Sequence, residues 1–230
     1  MNEMKISVVV PVLHERDIIN DLIGHLRSLP GGRDAEIIVV DGSEERDTNE
    51  VIEDNAVVKL TSSRGRGIQM NTGADHASGD IFLFHHADSR LPEEAFRLIR
   101  DTLKDERIRG GAFTLRFDKA PVHMRMAYPL HDLRGRITRI PFGDQSIFLR
   151  REAFERLGGY RNYRILEDID LMQRMRRKGI KIRILKEKAV SSSRRYLERG
   201  PIRNLIINLF IIFLFKLGVD PNRLERFYPK

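Results

Sequence analysis

The segment that most constrains this chain is Ile81-Phe82-Leu83-Phe84, four apolar residues running without a break into His85-His86-Ala87-Asp88-Ser89. A short continuous apolar run preceded by Gly79-Asp80 reads as a strand buried on both faces. It delivers a carboxylate, Asp88, to the carboxyl end of that strand, the edge at which open α/β sheets bind ligands. Two other strands have the same form. Ile6 to Val10 runs into Pro11-Val12-Leu13-His14-Glu15, and Glu36 to Val40 runs into Asp41-Gly42-Ser43. Three acid-bearing loops are therefore expected at one crevice.

Between these strands the apolar spacing is helical. Asp17 is placed to cap a helix whose Ile18, Ile19, Leu22, Ile23, Leu26 and Leu29 precede Pro30-Gly31-Gly32. A polar helix is expected near Asp47 to Glu53, then a short strand over Val57 to Leu60. Ser62-Ser63-Arg64-Gly65-Arg66-Gly67 opens a helix reaching about His76. Pro92 suits the first turn of a helix through Leu103, with Phe96, Leu98, Ile99 and Leu103 inward. Beyond residue 110 the spacing predicts strands over Gly111 to Phe117 and Ser146 to Leu149, with a helix or long loop over 120–136 between them. Helices 151–157 and 168–178 stop at Gly158-Gly159 and Gly179, both suited to a glycine C-cap. Strand alternating with helix predicts an α/β fold whose mostly parallel sheet is covered on both faces. Neither repeats nor a low-complexity linker interrupt it, so residues 1–195 read as one domain and 196–230 as an apolar helical extension.

Composition narrows the chemistry. With no cysteine among 230 residues, disulfides and thiolate metal sites are excluded, and a metal would need oxygen or imidazole ligands. Hard cations such as Mg²⁺ or Mn²⁺ are the natural candidates. Met1-Asn2-Glu3-Met4-Lys5 leads straight into the first strand without the pattern of a cleaved leader, so a cytoplasmic location is expected. A formal net charge of +8 calls for an anionic partner: nucleic acid, a phosphorylated small molecule or an anionic membrane surface. Nucleic acid is disfavoured, because the chain has no Trp and no basic-aromatic stacking pattern or recognition-helix motif. The densest basic stretch, Arg174 to Lys188, alternates with apolar residues and reads as a solvated face. Leu205 to Phe215, broken only by Asn208, is too short for the roughly 20 apolar residues of a bilayer span. A helix over about 203–216 is left as a buried core element, a homodimer contact, or a peripheral contact with the inner face of a membrane.

In order and spacing, several segments resemble those of the family 2 glycosyltransferases. They are Ser7-Val8-Val9-Val10-Pro11-Val12-Leu13-His14-Glu15, Val39-Val40-Asp41-Gly42-Ser43, Arg64 through Ala74, His86-Ala87-Asp88, and Glu167-Asp168-Ile169-Asp170-Leu171. The resemblance covers about residues 5 to 195. It implies a GT-A fold, with a nucleotide-binding half over about 5–110, an acceptor half over 111–195, and inverting transfer of a sugar from a nucleotide-diphosphate sugar to a hydroxyl acceptor. A UDP-sugar is the commonest family donor. The chain is similar to a small prokaryotic subgroup in which His-Ala-Asp replaces the usual Asp-x-Asp metal motif.

Residue by residue, the resemblance implies that Pro11, Glu15, Asp41, Arg66, Ala87 and Asp88 meet the nucleotide sugar. It further implies that Asp88 holds the cation, with His86 as a second candidate ligand, and that Asp168 is the general base. Asp144, Gln145, Glu167, Arg194 and Arg195 are assigned to the acceptor or diphosphate side. Each residue also has a plainer reading. Glu15 and the Glu167-Asp168 pair suit helix amino ends, Asp41 and Asp144 suit turns, and Asp88 suits a helix cap. Arg64 and Arg66 flank Gly65 at a helix start, a setting that suits phosphate as well as solvent. A nucleotidyltransferase would share the architecture and the metal. Pro11-Val12-Leu13-His14-Glu15, however, is not the glycine-rich basic loop that a triphosphate requires. A degenerate nucleotide-sugar-binding or membrane-associated scaffold is the non-enzymatic alternative, and the intact Asp88 and Asp168 argue against it.

Overall fold

The computed structural model describes residues 3–193 and 201–227. Among them, eight strands form one sheet. The strands are β1 (Ile6–Val12), β2 (Glu36–Asp41), β3 (Val58–Thr61), β4 (Ile81–Phe84), β5 (Ser89–Arg90), β6 (Ile108–Phe117), β7 (Ile147–Arg150) and β8 (Lys181–Ser191). Their spatial order is β3-β2-β1-β4-β7-β6-β8-β5. Four of the seven pairings are parallel; β7 runs antiparallel to both β4 and β6, and β5 antiparallel to β8.

Period-2 alternation within the buried strands builds two cores. Ile6, Val8, Val10, Ile37, Val39, Ile81 and Leu83 pack on one face against Ile19, Leu22 and Leu26 of α1 (Ile19–Ser28) and Phe96, Ile99 and Leu103 of α4 (Ala95–Lys104). Val9, Ile38, Val40, Phe82 and Phe84 pack on the other. There they meet Met70 and Ala74 of α3 (Arg66–His76), Phe154 of α6 (Arg151–Arg156), and Leu171, Met172 and Met175 of α7 (Glu167–Arg177). Helices thus cover both faces, as the alternation of elements predicts. Gly73 lets α3 lie directly on the sheet, for a Cβ there would come within 2.3 Å of Val9 Cγ1. Pro11 is tolerated inside β1 because β4 pairs no further than Val9↔Phe84, leaving no partner on that side for the missing N–H.

Several local expectations are corrected. Asp17 does not cap α1; Ile18 occupies the cap position, and no side chain bonds there. The polar helix near Asp47 shrinks to α2 (Asp47–Glu50). Pro92 lies in a turn before α4, its carbonyl accepting the Ala95 N–H at 3.0 Å. Of the two readings of 120–136, a helix or a long loop, the structure bears out the helix, α5 (Val122–Thr138), with Pro129 inside it. The basic stretch is a solvated face except at Arg174. That guanidinium is drawn inward by Asp170 (2.7 Å) and by the carbonyls of Leu157 and Gly159 at the end of α6.

The C-terminal helix α8 (Pro201–Lys216) is followed by α9 (Pro221–Leu224). Ile211 of α8 packs with Ile165 and Leu224, so part of α8 belongs to a small satellite core, while Phe210, Phe213 and Leu217 remain 47–66% exposed. Among the described residues, no helix is long and apolar enough to cross a membrane.

Candidate active site

Topology assembles the site. Because β7 runs opposite to β4 and pairs Ile147 with Phe84, the 3-10 turn Gly143–Gln145 before β7 sits beside the His85–Asp88 loop after β4. On its other side that loop is fastened to β8, with Ser89↔Ser191 in register and the Ser192 N–H donating to the Asp88 carbonyl at 2.9 Å. Buried His85 ties the loop together. Its Nε2 lies 3.2 Å from the Ser89 carbonyl, which can only accept, so Nε2 carries the proton and Nδ1 accepts from Ser146 Oγ at 2.8 Å. Burial, first of all, pushes its pKa down to about 3, so the ring is a neutral strut.

The structure brings together His86, Asp88, Asp144, Glu167, Asp168 and Arg66. The Gly143 N–H donates to Asp168 Oδ2 at 2.5 Å, and the Ile169 N–H to Oδ1 at 2.7 Å. A Cβ on Gly143 would meet His86 Nε2 at 3.3 Å and Asp168 Oδ2 at 3.4 Å, so the imidazole and the carboxylate flank one glycine. Asp144 lies in the field of both Asp168 and Asp88. Burial first, and then those two charges, push its carboxyl up to about 7 against the pull of Arg66 and Arg134. Its Oδ1 is enclosed without a hydrogen-bond partner among the described residues. Glu167 is buried and its Oε1 meets Arg66 Nε at 3.3 Å, joining the amino ends of α3 and α7. Burial raises its carboxyl well above the usual range, Arg66 opposing and Asp168 adding to the shift. The two helix ends approach closely because residue 67 is glycine, where a Cβ would lie 2.8 Å from the Arg161 carbonyl.

Five expected contacts are buried or turned inward. Asp41 is fully buried; Oδ1 accepts from the N–H and Oγ of Ser43 (2.8 and 2.7 Å), and Oδ2 from the N–H groups of Thr48 and Asn49 (3.1 and 3.2 Å). With four donors it organises the loop and the start of α2 and presents no open oxygen. Gln145 points inward, accepting the Phe142 N–H at 3.0 Å and donating to the Phe113 carbonyl at 2.8 Å, so it braces the turn and lines nothing. The Ala87 side chain belongs to the core, which leaves only its backbone for a ligand. Pro11 is likewise buried inside β1. Glu15 is largely buried where β1 leaves the sheet, its N–H donating to Thr48 Oγ1 at 3.0 Å. Arg194 and Arg195 lie outside the described residues.

Two residues that matter escaped the sequence reading. Gln69, on the buried side of α3, donates from Nε2 to the carbonyls of Val12 (2.7 Å) and Val40 (2.8 Å), strapping the carboxyl ends of β1 and β2 together. Its only signal is a polar residue on an apolar helix face. Arg134 of α5 stacks over the Phe142 ring at 4.1 Å and sits in the field of Asp144 and Asp168. Its Nε and Nη2 are enclosed and make no hydrogen bond among the described residues. Burial draws its pKa down while the two carboxylates hold it up. Nothing in the sequence separates it from the other arginines of α5.

Two of these carboxylates, Asp144 and Glu167, keep an enclosed oxygen without a hydrogen-bond partner among the described residues. Hard oxygens suit Mg²⁺ or Mn²⁺, but no three His, Asp or Glu side chains among the described residues converge as a complete metal cluster, so substrate oxygens would have to complete the shell. The cations Arg66 and Arg134 on the same rim fit a diphosphate or another oxyanion.

Known proteins agree with this architecture. The structure superposes on mannosyltransferase PcManGT from Pyrobaculum calidifontis, solved with GDP-Man and Mn²⁺, at a TM-score of 0.66 and 19% identity over 83% of this chain and 57% of that one. It superposes on residues 1–349 of S. aureus TarS, solved with UDP-GlcNAc, at a TM-score of 0.63 and 17% identity over 82% and 58%. These likenesses show the GT-A fold. In sequence, the chain is 28% identical over 108 residues to a dolichol-phosphate mannosyltransferase of Pyrococcus furiosus, covering 44% of this chain and 31% of that protein. It therefore spans less than two thirds of each of these relatives. The model of glycosyl transferase family 2 matches residues 7–158, well over half of the chain, from β1 through the turn before β7 to the end of α6. With its carboxylates gathered at the carboxyl edge of that fold, the chain belongs to glycosyl transferase family 2.

Proposed function

We propose that this protein transfers a sugar from a nucleoside-diphosphate sugar to a hydroxyl acceptor, with inversion at the anomeric carbon and Asp168 as general base. The observation that carries this reading is the setting of the Asp168 carboxylate, oriented by the Gly143 and Ile169 N–H groups beside His86 and in the field of Asp144. In the reaction, the acceptor O–H gives its proton to Asp168 as its oxygen attacks the anomeric carbon. The bond from that carbon to the diphosphate oxygen breaks, and the electron pair leaves with the nucleoside diphosphate. Each Asp168 oxygen accepts one backbone N–H, which leaves lone pairs for the incoming proton.

Asp88 and Asp144 are the oxygen donors suited to holding Mg²⁺ or Mn²⁺, with His86 an imidazole alternative, and a bound cation would offset charge on the departing diphosphate. Arg66, at the amino end of α3, and Arg134 add fixed positive charge on the same side. Asp41 and Gln69 serve the nucleotide by shaping the β1 and β2 loops. The similar structures carry UDP-GlcNAc and GDP-Man, so a nucleoside-diphosphate-sugar donor is supported and the base is left to experiment.

Thermal shift across UDP, GDP, CDP and ADP, each with Mn²⁺, Mg²⁺ or chelator, tests the donor site. One base should stabilise selectively and with metal dependence, because a ligand at 100 times its Kd adds about 2.7 kcal/mol to the native state. Asp168→Asn should keep that shift and lose sugar transfer. Unchanged transfer in Asp168→Asn would overturn the assigned mechanism.

A further inference from the structure

Among the described residues, the outer face of α5 is apolar and exposed. Val122, Met126, Leu130, Leu133 and Ile137 are each 54–77% exposed, and at 100° per residue they fall within an arc of about 80°. The stripe runs along most of a helix about 25 Å long. Soluble surfaces scatter such residues singly, and a continuous stripe marks an interaction site.

The charge around the stripe identifies what covers it. Lys119, Arg125 and Arg139 are exposed at its margins. The nearby carboxylates are already taken. Asp132 is clasped by Arg116 through two bonds of 2.9 and 2.7 Å, and Asp118 Oδ1 accepts from the N–H and Oγ of Ser193, both at 2.8 Å. Asp118, itself exposed, faces Lys119, which leaves Arg125 and Arg139 as the excess positive charge beside the stripe. An apolar face with a net cationic margin complements an anionic lipid surface, in which the apolar side chains enter the acyl boundary and the cations meet phosphate. A second, like-charged copy of this chain would bring those same cations against each other.

We infer that α5 is the element that docks this protein on an anionic membrane, and that the acceptor hydroxyl is borne by a lipid. The second half of the inference rests on the transferase reading above. α5 also carries Arg134, whose guanidinium sits in the field of Asp144 and Asp168, so one helix joins the lipid-facing stripe to the catalytic rim. A helix with its side chains is about 10–12 Å across, which puts a bilayer beneath α5 within reach of the site for a lipid headgroup. The C-terminal helix α8, for which a membrane contact was one of three readings from sequence, is partly taken up by the satellite core around Ile165.

Flotation with vesicles of phosphatidylglycerol and phosphatidylcholine, against pure phosphatidylcholine, is the test. The wild-type protein should float with the anionic vesicles, and the bound fraction should fall about tenfold in Met126→Glu/Leu130→Glu, while Phe213→Glu on α8 keeps it. Melting temperature and nucleotide thermal shift, read on the same samples, show that the variants are folded and that the donor site stands independently of the membrane result. Three results would overturn the inference: no flotation of wild type, flotation lost through α8 and not α5, or a dimer in light scattering that Met126→Glu/Leu130→Glu makes monomeric.

Discussion

Asp41 and Asp144 are both enclosed carboxylates at the same edge of the sheet, and they are treated in opposite ways. Asp41 accepts four hydrogen bonds from its own loop and from the start of α2. Among the described residues, Asp144 has an enclosed oxygen with no partner, stands in the field of Asp88 and Asp168, and faces an arginine whose Nε and Nη2 are equally unpartnered. A buried polar group left unsatisfied destabilises a fold by about 1–3 kcal/mol, so a fold keeps one only where something else benefits. On the β1–β2 side the acids build the scaffold. On the β4–β7–α7 side Asp144 keeps an enclosed oxygen unpartnered among the described residues, as the proposed transferase site would require.

The sharpest test of that contrast is Asp168→Asn, which should lower sugar transfer by about 10²- to 10⁴-fold, the usual loss on removing a general base, with donor binding intact. Asp41→Ala should do the reverse. Stranding the N–H groups of Ser43, Thr48 and Asn49 should lower stability in urea denaturation by about 2–3 kcal/mol, with transfer by the folded fraction reduced far less. If Asp41→Ala instead abolished transfer without destabilising, the division between scaffold and chemistry would fail.

An effect of similar size concerns pH. Asp144 is raised in the folded protein to about 7 from an ordinary 3.8, so the folded state keeps a proton that the unfolded chain releases at lower pH. Its contribution to stability is full below about pH 4 and is lost as pH rises through 7. Asp144→Asn should therefore gain on wild type by about 2–3 kcal/mol between pH 5 and pH 8 in urea denaturation without added metal. An equal difference at both pH values would mean that Asp144 is not crowded. The smallest effect is that of Arg134→Gln, which should change stability by less than about 1 kcal/mol, because no hydrogen bond is lost, yet cut kcat/KM about tenfold, which steady-state kinetics would read.

Much of the donor side was legible because its signals are local. Apolar runs at 6–10, 36–40 and 81–84 can hardly be anything but buried strands, and each ends in its acid within a few residues. Glycines mark the ends of α6 and α7 for an equally local reason, the left-handed backbone at Gly158, Gly159 and Gly179. Roles that depend on partners far along the chain were not legible. Gln145 binds a carbonyl 32 residues away, Gln69 one 57 residues away, and Arg134 lies in the field of Asp168, a residue of α7.

The sequence by itself determined the α/β class, the buried strands, the glycine stops and the set of acids at the carboxyl edge, since these follow from short-range periodicity and backbone preference. Tertiary structure alone decided which acid does what. Pairing β7 antiparallel to β4, Ile147 against Phe84, carries Gly143 and Asp144 to His86 and Asp168, and no local preference encodes that register. That pairing leaves Asp144 open, while Asp41 is satisfied by its own loop and the start of α2, because hydrogen-bond saturation is a property of the assembled neighbourhood and not of the residue.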